Sequence, residues 1–551
     1  MSADAAPVHR MRGIWAFRII AALVVALCLL PLVAVALAAV TGSGDTVASL
    51  AQTVLGRYAG TTLALVVLVG GGALVLGTTT AWLVTMCEFP GRRWLEIALV
   101  LPLAFPAYVL AYAYTHVLDH PGIVQSLLRD VTGWGPRDYW FPEIRSLGGA
   151  ALMLTLVLYP YVYLLARAAF LQQSASAFIA ARALGKGPVT AFLKVSLPMA
   201  RPAIASGVLL AVMETIADYG TVAYFGVQTY ATGIYSSWIT FADRGAAAQL
   251  ALGLLAFALL LVVLDHLTRG GGRQHQLNRR QEVLTRMTLR GRARVFAWVV
   301  TGLPVLLGAA LPVLILVDMA IGSGQDLLGR RYMRFLASSV SLAAIAAGVT
   351  MAAAIALSYY DRLFPGRGSR GALTVARLGY AVPGGVIAVG LMVPFAAFDN
   401  ALDGFMRDRF GIATGLLFTG SILLMVGAYV IRFMAAGLGA YRGGQLQLNP
   451  NMDAAARSLG ARPMGVLARI HLPILTPSIL TGALIVFVDV MKELPATLIL
   501  RPLGWDTLAV QAFRLASDER LEGAAVPSLV IVAVGLLPVL LICRQVGLYR
   551  R

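Results

Sequence analysis

Ala180-Ala181-Arg182-Ala183-Leu184-Gly185, with Leu197-Pro198 a short way on, returns 275 residues downstream as Ala455-Ala456-Arg457-Ser458-Leu459-Gly460 with Leu472-Pro473. Phe89-Pro90-Gly91-Arg92 returns at the same offset as Phe364-Pro365-Gly366-Arg367. Three motifs sharing one offset divide the chain into two copies of one module. The Ala-rich stretch has a physical reading. Ala, Leu and Arg favour helix, and a following Gly accepts the left-handed conformation that ends one. Two adjacent alanines leave a surface that another backbone can approach closely. The Pro fits the first turn of the next helix, where no N–H is needed. A short helix, a turn and a rigid return would make a lever between a soluble partner and the membrane. The same segment could also be an interfacial helix resting on lipid headgroups.

The membrane follows from composition. Of 551 residues 59% are hydrophobic and 13% charged, against roughly a quarter charged in soluble domains. Leu, Val and Ala form runs of about 20 residues, enough to cross a hydrocarbon core roughly 30 Å thick. Twelve spans are expected, near 14–40, 61–86, 95–116, 147–170, 203–225 and 247–265, then near 296–320, 337–358, 378–398, 417–440, 476–500 and 526–543. Six spans per copy give the two copies one orientation, so they form parallel repeats. The fold expected is therefore an all-α integral membrane protein of two parallel six-helix repeats. The first half covers 1–268 (core about 58–266), a basic linker 269–294, and the second half 295–551 (core about 334–544). The first run follows Arg10 and Arg12, and Ala36-Leu37-Ala38 resembles a cleavage site. Its apolar length exceeds that of a signal peptide, so a retained first helix is expected.

The net charge of +18 is explained by its placement. Arg269, Arg273, Arg279, Arg280, Arg286, Arg290, Arg292 and Arg294 crowd the linker, whereas Asp399, Asp403, Asp518, Glu519 and Glu522 fall in loops on the other side. This positive-inside pattern puts both termini in the cytoplasm. Anionic lipid then accounts for the basic balance, and nucleic acid is not needed. Cys28, Cys87 and Cys543 lie far apart, with neither disulfide framework nor metal spacing.

The motifs resemble those of type I inner-membrane components of binding-protein-dependent ABC importers, whose signature is Glu-Ala-Ala-x3-Gly-x9-Ile-x-Leu-Pro. The Gly-to-Pro spacing fits twice, at Gly185/Pro198 and Gly460/Pro473. The Glu position holds Ile179 in one copy and Ala454 in the other, with Asp453 one place earlier. The resemblance implies that Ala180, Ala181, Arg182, Leu184, Gly185 and Pro198, with Ala455, Ala456, Arg457, Leu459, Gly460 and Pro473, couple the membrane helices to an ATPase. Glu214 through Val222, Tyr224 through Val227 and Thr232-Gly233-Ile234-Tyr235 look like the first half of fused ferric-iron permeases. Asp489 through Thr497, Leu500 through Gly504 and Asp506 through Ala509 look like their second half. Fused thiamine, putrescine and phosphonate permeases share this architecture.

The resemblance implies a non-enzymatic transport subunit with two copies of a cytoplasmic ABC ATPase and an external substrate-binding protein. ATP and magnesium would bind those ATPase subunits, and no cofactor is expected on this chain. No phosphate-binding loop occurs, for Gly185-Lys186-Gly187 lacks the required Ser or Thr. A rival is an ion-coupled secondary transporter, which would not need two matched cytoplasmic helices. A membrane-embedded enzyme would need a Ser/His/Asp or comparable constellation, and none is legible.

Ionisable groups in spans mark pathways by default. Glu214 corresponds to Asp489 and Asp218 to Glu493, each half thus carrying acids four residues apart on one expected helix face. Four carboxylates would favour a cation, with Lys492 neutralising part of the charge. The alternative is that these acids hold helix ends or pair with Arg432 and Lys492. His116, Asp119 and His120 form a second cluster, for which a structural role in a loop is expected and no metal is assigned. Gly70-Gly71-Gly72 reads as close helix packing.

Overall fold

Long apolar helices dominate because lipid offers no hydrogen bonds, so each spanning segment must satisfy its own backbone. The computed structural model describes residues 8–41, 49, 51–172, 181, 183–268, 286–325, 329–446 and 448–548. Among them eleven helices are long and apolar enough to span a membrane, from Trp15–Val40 to Leu521–Leu541. A twelfth span forms if two bent segments, Arg92–Ala104 and Ala107–Thr132, are taken as one; they meet at 94°. The expected span 95–116 is therefore broken. Its reason is local: a 3-10 turn at Leu101–Ala104 leads into Phe105 and Pro106, both extended. Proline pushes the preceding residue out of the helical region and has no N–H to continue the ladder. The second half breaks alike, at Val382 and Pro383, before Gly384–Phe410.

The repeat and the compact bodies divide the chain differently. One body comprises residues 1–49, 234–255 and 328–510; the other comprises 50–233, 256–327 and 511–551. In the first body Arg330–Leu363, Ile422–Gln445 and Leu472–Met491 pack on one another, and Val8–Thr41 lies along Gly384–Phe410 and Arg330–Leu363. In the second, Gly56–Met86, Leu147–Gln172 and Leu197–Ala217 form the core, and Leu311–Gly322 packs on Leu521–Leu548. Each core is thus completed by an opening span from the other half of the sequence. The linker is described only from residue 286, where Met287–Thr288 pairs in parallel with Cys87–Glu88. Arg286 Nη1 stands 3.8 Å from Glu88 there.

Small residues set the helix spacing. A Cβ on Gly77 would come 2.7 Å from Val162 Cβ, and one on Gly70 would come 3.0 Å from Val212. A Cβ on Gly72 would reach 2.8 Å from Thr155, while Gly71 has nothing near. Two of the three adjacent glycines are therefore packing positions. Gly390 plays this part for the first span, since a Cβ there would lie 2.5 Å from the Pro31 carbonyl. Gly390→Ala is expected to destabilise the protein by about 1–3 kcal/mol, read as a lower thermal midpoint in detergent. Gly348→Ala, where nothing lies within 4 Å, should leave that midpoint unchanged.

Candidate functional site

The two Ala-rich segments end their helical turns alike. Gly185 and Gly460 take φ of +79° and +80°, and Lys186 N–H donates to Ala181 C=O at 3.1 Å while Ala461 N–H donates to Ala456 C=O at 3.0 Å. These are the same bond in register, the six-to-one closure of a Schellman turn. Ala180 and Arg182 lie outside the described residues. The second copy is a full helix, Pro450–Ser458, capped by the Asn449 side chain accepting from Asn451 N–H. Of its alanine pair, Ala455 faces outward and Ala456 is buried. Leu184 and Leu459, equivalent in register, are 80% and 88% exposed. Met452, Ala455, Leu459, Gly460 and Ile474 are among the residues that line an open groove of about 760 Å³.

The return to the membrane starts earlier than the proline. Pro188–Ala191 and Pro463–Val466 are helical, each followed by a π turn, Phe192–Ser196 and Leu467–His471. Only then come Leu197–Ala217 and Leu472–Met491, with Pro198 and Pro473 in their first turn. A π turn changes the carbonyl pairing just where proline supplies no N–H.

Asp453 sits under the second segment, and its place in the pattern did not reveal its partners. Its Oδ2 accepts from Arg362 Nε at 2.6 Å, and its Oδ1 lies 2.8 Å from His471 Nε2. Burial pushes this carboxyl up, but the bonds from Arg362 and His471 outweigh it and hold the group below its ordinary range. The one sequence signal was an acid one residue from the expected Glu.

The acids at the fifth spans are placed otherwise than expected. Leu197–Ala217 ends before Asp218 and Leu472–Met491 ends before Glu493, so neither pair shares one helix face. A short second helix follows each, Gly220–Tyr224 and Pro495–Leu500. Asp218 Oδ1 accepts from Thr221 and Val222 N–H at 3.0 and 3.2 Å. Glu493 accepts from the register-equivalent Ala496 and Thr497 N–H at 2.9 and 3.0 Å. A negative group at a helix N-terminus satisfies free amides and meets the positive end of the dipole. Glu493 is 5% exposed, and its Oε1 and Arg432 Nη1 both lie against Gly384. Glu214 and Asp489 are half-buried one turn earlier, and Asp489 lies 2.9 Å from Lys492 Nζ.

The His116–His120 cluster is built around an ion pair. The helix Ala107–Leu118 ends between the two histidines, and Asp119 Oδ2 accepts from Arg145 Nε at 2.9 Å. Arg145 also grips Glu519 with two bonds, at 2.6 and 2.8 Å. These bonds are the main cause that holds the Glu519 carboxyl below its usual range. Among the described residues no group of three His, Cys, Asp or Glu side chains is placed to hold a metal.

A duplicated bundle with eleven or twelve helices long and apolar enough to cross a membrane defines a class, the polytopic membrane protein. A profile of the family described as "Binding-protein-dependent transport system inner membrane component" matches residues 73–269. The chain is 25% identical over 492 residues to the Fe(3+)-transport system permease protein FbpB 2 of Haemophilus influenzae, covering 87% of this chain and 88% of that one. It is 26% identical over 437 residues to the probable ABC transporter permease protein y4fN of Sinorhizobium fredii, covering 74% and 72%. The molybdenum transport system permease protein ModB of Escherichia coli is 28% identical over 199 residues, 84% of its length but 35% of this chain. Residues 73–269 thus resemble the inner-membrane components of binding-protein-dependent transport systems, and the chain is similar over most of its length to transport permeases.

The capping geometry is open to a direct test. Glu493→Ala leaves two buried amides without their acceptor and is expected to destabilise the protein by about 1–3 kcal/mol. Glu493→Gln, which keeps an acceptor oxygen, should recover part of that loss in thermal unfolding of the purified protein.

Proposed function

We propose that this chain is the two-module permease of an ATP-driven ferric-iron importer, with both termini in the cytoplasm. Two copies of a cytoplasmic ATPase, holding ATP and magnesium, dock on the Ala-rich segments. A soluble external binding protein delivers cargo to the loops near 116–146, 226–246, 399–416 and 500–525. The observation that carries the energy source is the pair of segments closed by the same Schellman bond, each presenting one exposed leucine at one register. A secondary transporter has no need of two such levers. Iron is supported by similarity to the Fe(3+) permease over nearly the whole of both chains, and loosely by acids at the fifth spans.

In the mechanism we infer, binding of loaded carrier outside and closure of the ATPase pair inside turn the path outward. Hydrolysis resets it, so access alternates. Each segment passes movement into the fifth span behind it, through the continuous run from Pro188 or Pro463 into the apolar helix. Glu214 and Asp489 are the groups we assign to passing contact with a cation. A transit site has to release what it binds, so contact there is brief.

Uptake of radioactive ferric iron by proteoliposomes holding permease, ATPase and cognate binding protein tests this reading. ATP-dependent uptake that excess thiamine, polyamine and phosphonate leave intact is the expected result. Uptake driven by an ion gradient without ATP would overturn the energy source, and competition by one of those compounds would reassign the cargo. Gly460→Pro cannot adopt φ near +80°. It is expected to abolish co-purification of the ATPase while helix content by circular dichroism stays the same.

A further inference from the structure

The helix Ile123–Thr132 turns its polar side inward and its apolar side outward. It stands between membrane segments, beyond the extended residues Asp119 and Gly122 that follow Ala107–Leu118, and ahead of Leu147–Gln172. Ile123, Leu127 and Val131 recur at every fourth position with Val124 beside them, so they form one stripe. A helix on a soluble core buries such a stripe. Here Leu127 is 61% and Val131 77% exposed, Ile123 and Val124 are uncovered as well, and the residue that is buried is Gln125.

Hydrogen bonds explain the inversion. Gln125 Nε2 donates to the Leu118 carbonyl at 3.0 Å, and its Oε1 accepts from the Tyr139 hydroxyl at 2.8 Å. Arg129 Nη1 donates to the same hydroxyl at 3.1 Å, and its Nη2 donates to the His120 carbonyl at 2.9 Å. The polar side is thus seated on the helix's own loop. Asp130, at the edge of the stripe, is exposed. The helix therefore has one side for protein, one for water and a third that suits neither.

The surroundings identify what covers that third side. The helix is joined by four residues to a membrane segment at one end, and its loop re-enters the membrane at Leu147. Trp134 and Trp140 follow it, both exposed, with Trp134 stacked on Tyr139 at a centroid distance of 6.0 Å. Trp and Tyr gather at the membrane–water boundary, where an apolar ring and a polar edge are both satisfied. A protein partner is usually gripped by Trp, Tyr or Arg at the centre of a patch, with Leu and Val rarely the anchors. In this stripe the centre is aliphatic and the aromatic residues lie past its end.

We propose that Ile123–Thr132 is a lipid anchor, its stripe sunk about 5–10 Å into the boundary between phospholipid headgroups and acyl chains. Which leaflet this is follows from the orientation proposed above; that the occupant is lipid does not. The anchor also reaches the neighbouring ion pairs. Arg129 holds the carbonyl of His120, next to Asp119, whose partner Arg145 grips Glu519. That cluster is then kept at one height above the bilayer. If a carrier docks on this loop, it meets the polar residues and not the stripe, a consequence that rests on the proposed importer reading.

Nitroxide labels at Leu127→Cys, Val131→Cys and Asp130→Cys test the assignment. Each is made in the full-length chain carrying Cys28→Ala, Cys87→Ala and Cys543→Ala, in nanodiscs of phosphatidylethanolamine and phosphatidylglycerol. Relaxation by oxygen, which concentrates among acyl chains, is compared with relaxation by a water-soluble nickel chelate. The expected ratio of oxygen to chelate access is several-fold higher at 127 and 131 than at 130, with no partner protein present. Chelate reaching 127 and 131 as freely as 130 would overturn the anchor, and loss of that access on adding the binding protein would reassign the stripe to carrier docking. Exclusion of both reagents at 127 and 131 would also overturn it, by showing cover from protein such as a second copy. Hydroxyl-radical labelling of the unmodified chain in the same nanodiscs guards against a cysteine-free chain that does not fold. Ile123, Leu127 and Val131 should then be modified several-fold less than Leu503, which is fully exposed in the loop after Pro495–Leu500; equal modification would count against lipid.

Discussion

A helix that stops inside a membrane protein strands amides that no lipid can satisfy, and the fifth span of each half stops in this way. The fifth span of each half ends at Ala217 or Met491, and a short second helix resumes three or four residues later. Asp218 and Glu493 make those interruptions tolerable by accepting the freed N–H groups at 221, 222, 496 and 497. Without them each break would leave buried donors, each costing about 1–3 kcal/mol. The irregular backbone at both breaks is possible because two side chains stand in for water.

Much of the architecture could be read from the residues alone. Apolar runs announced the spans, and a single offset announced the repeat, because both are statements about burial and periodicity. The left-handed turn at Gly460 was legible for the same reason, since few residues other than Gly rest at φ near +80°. Break points were harder. The stop at Met491 falls where Lys492, Glu493 and Pro495 interrupt the run 476–500, but the apolar stretches on both sides carry a span-length window across it. Carboxylates four apart read as one helix face only while the helix continues, and Asp218 and Glu493 lie just past the ends. The partners of Asp453 were hidden for another reason: Arg362 and His471 are remote in sequence and meet it only after packing.

The repeats also show how duplication permits specialisation. Both copies retain the Schellman closure, the exposed leucine, the π turn and the capped break. What differs is the ionic scaffolding near the shared arginine of the fourth span. In one copy it recruits Glu96 from the broken third span; in the other it reaches Asp361 at the end of the second. Elements fixed by backbone geometry are shared by both copies, whereas the charge partners differ.

Because Val8–Thr41 rests on Gly384–Phe410 and Arg330–Leu363, the ribosome finishes the first span long before its neighbours exist. During synthesis that helix waits in lipid or on the insertion machinery with its packing face uncovered. An N-terminal half expressed alone would lack that neighbour, and would also lack Leu311–Gly322 and Leu521–Leu548, which belong to the other compact body. Assembly is thus obliged to be late. Quality control in the cell would meet a truncated product as a set of unfinished bundles, not as one working half.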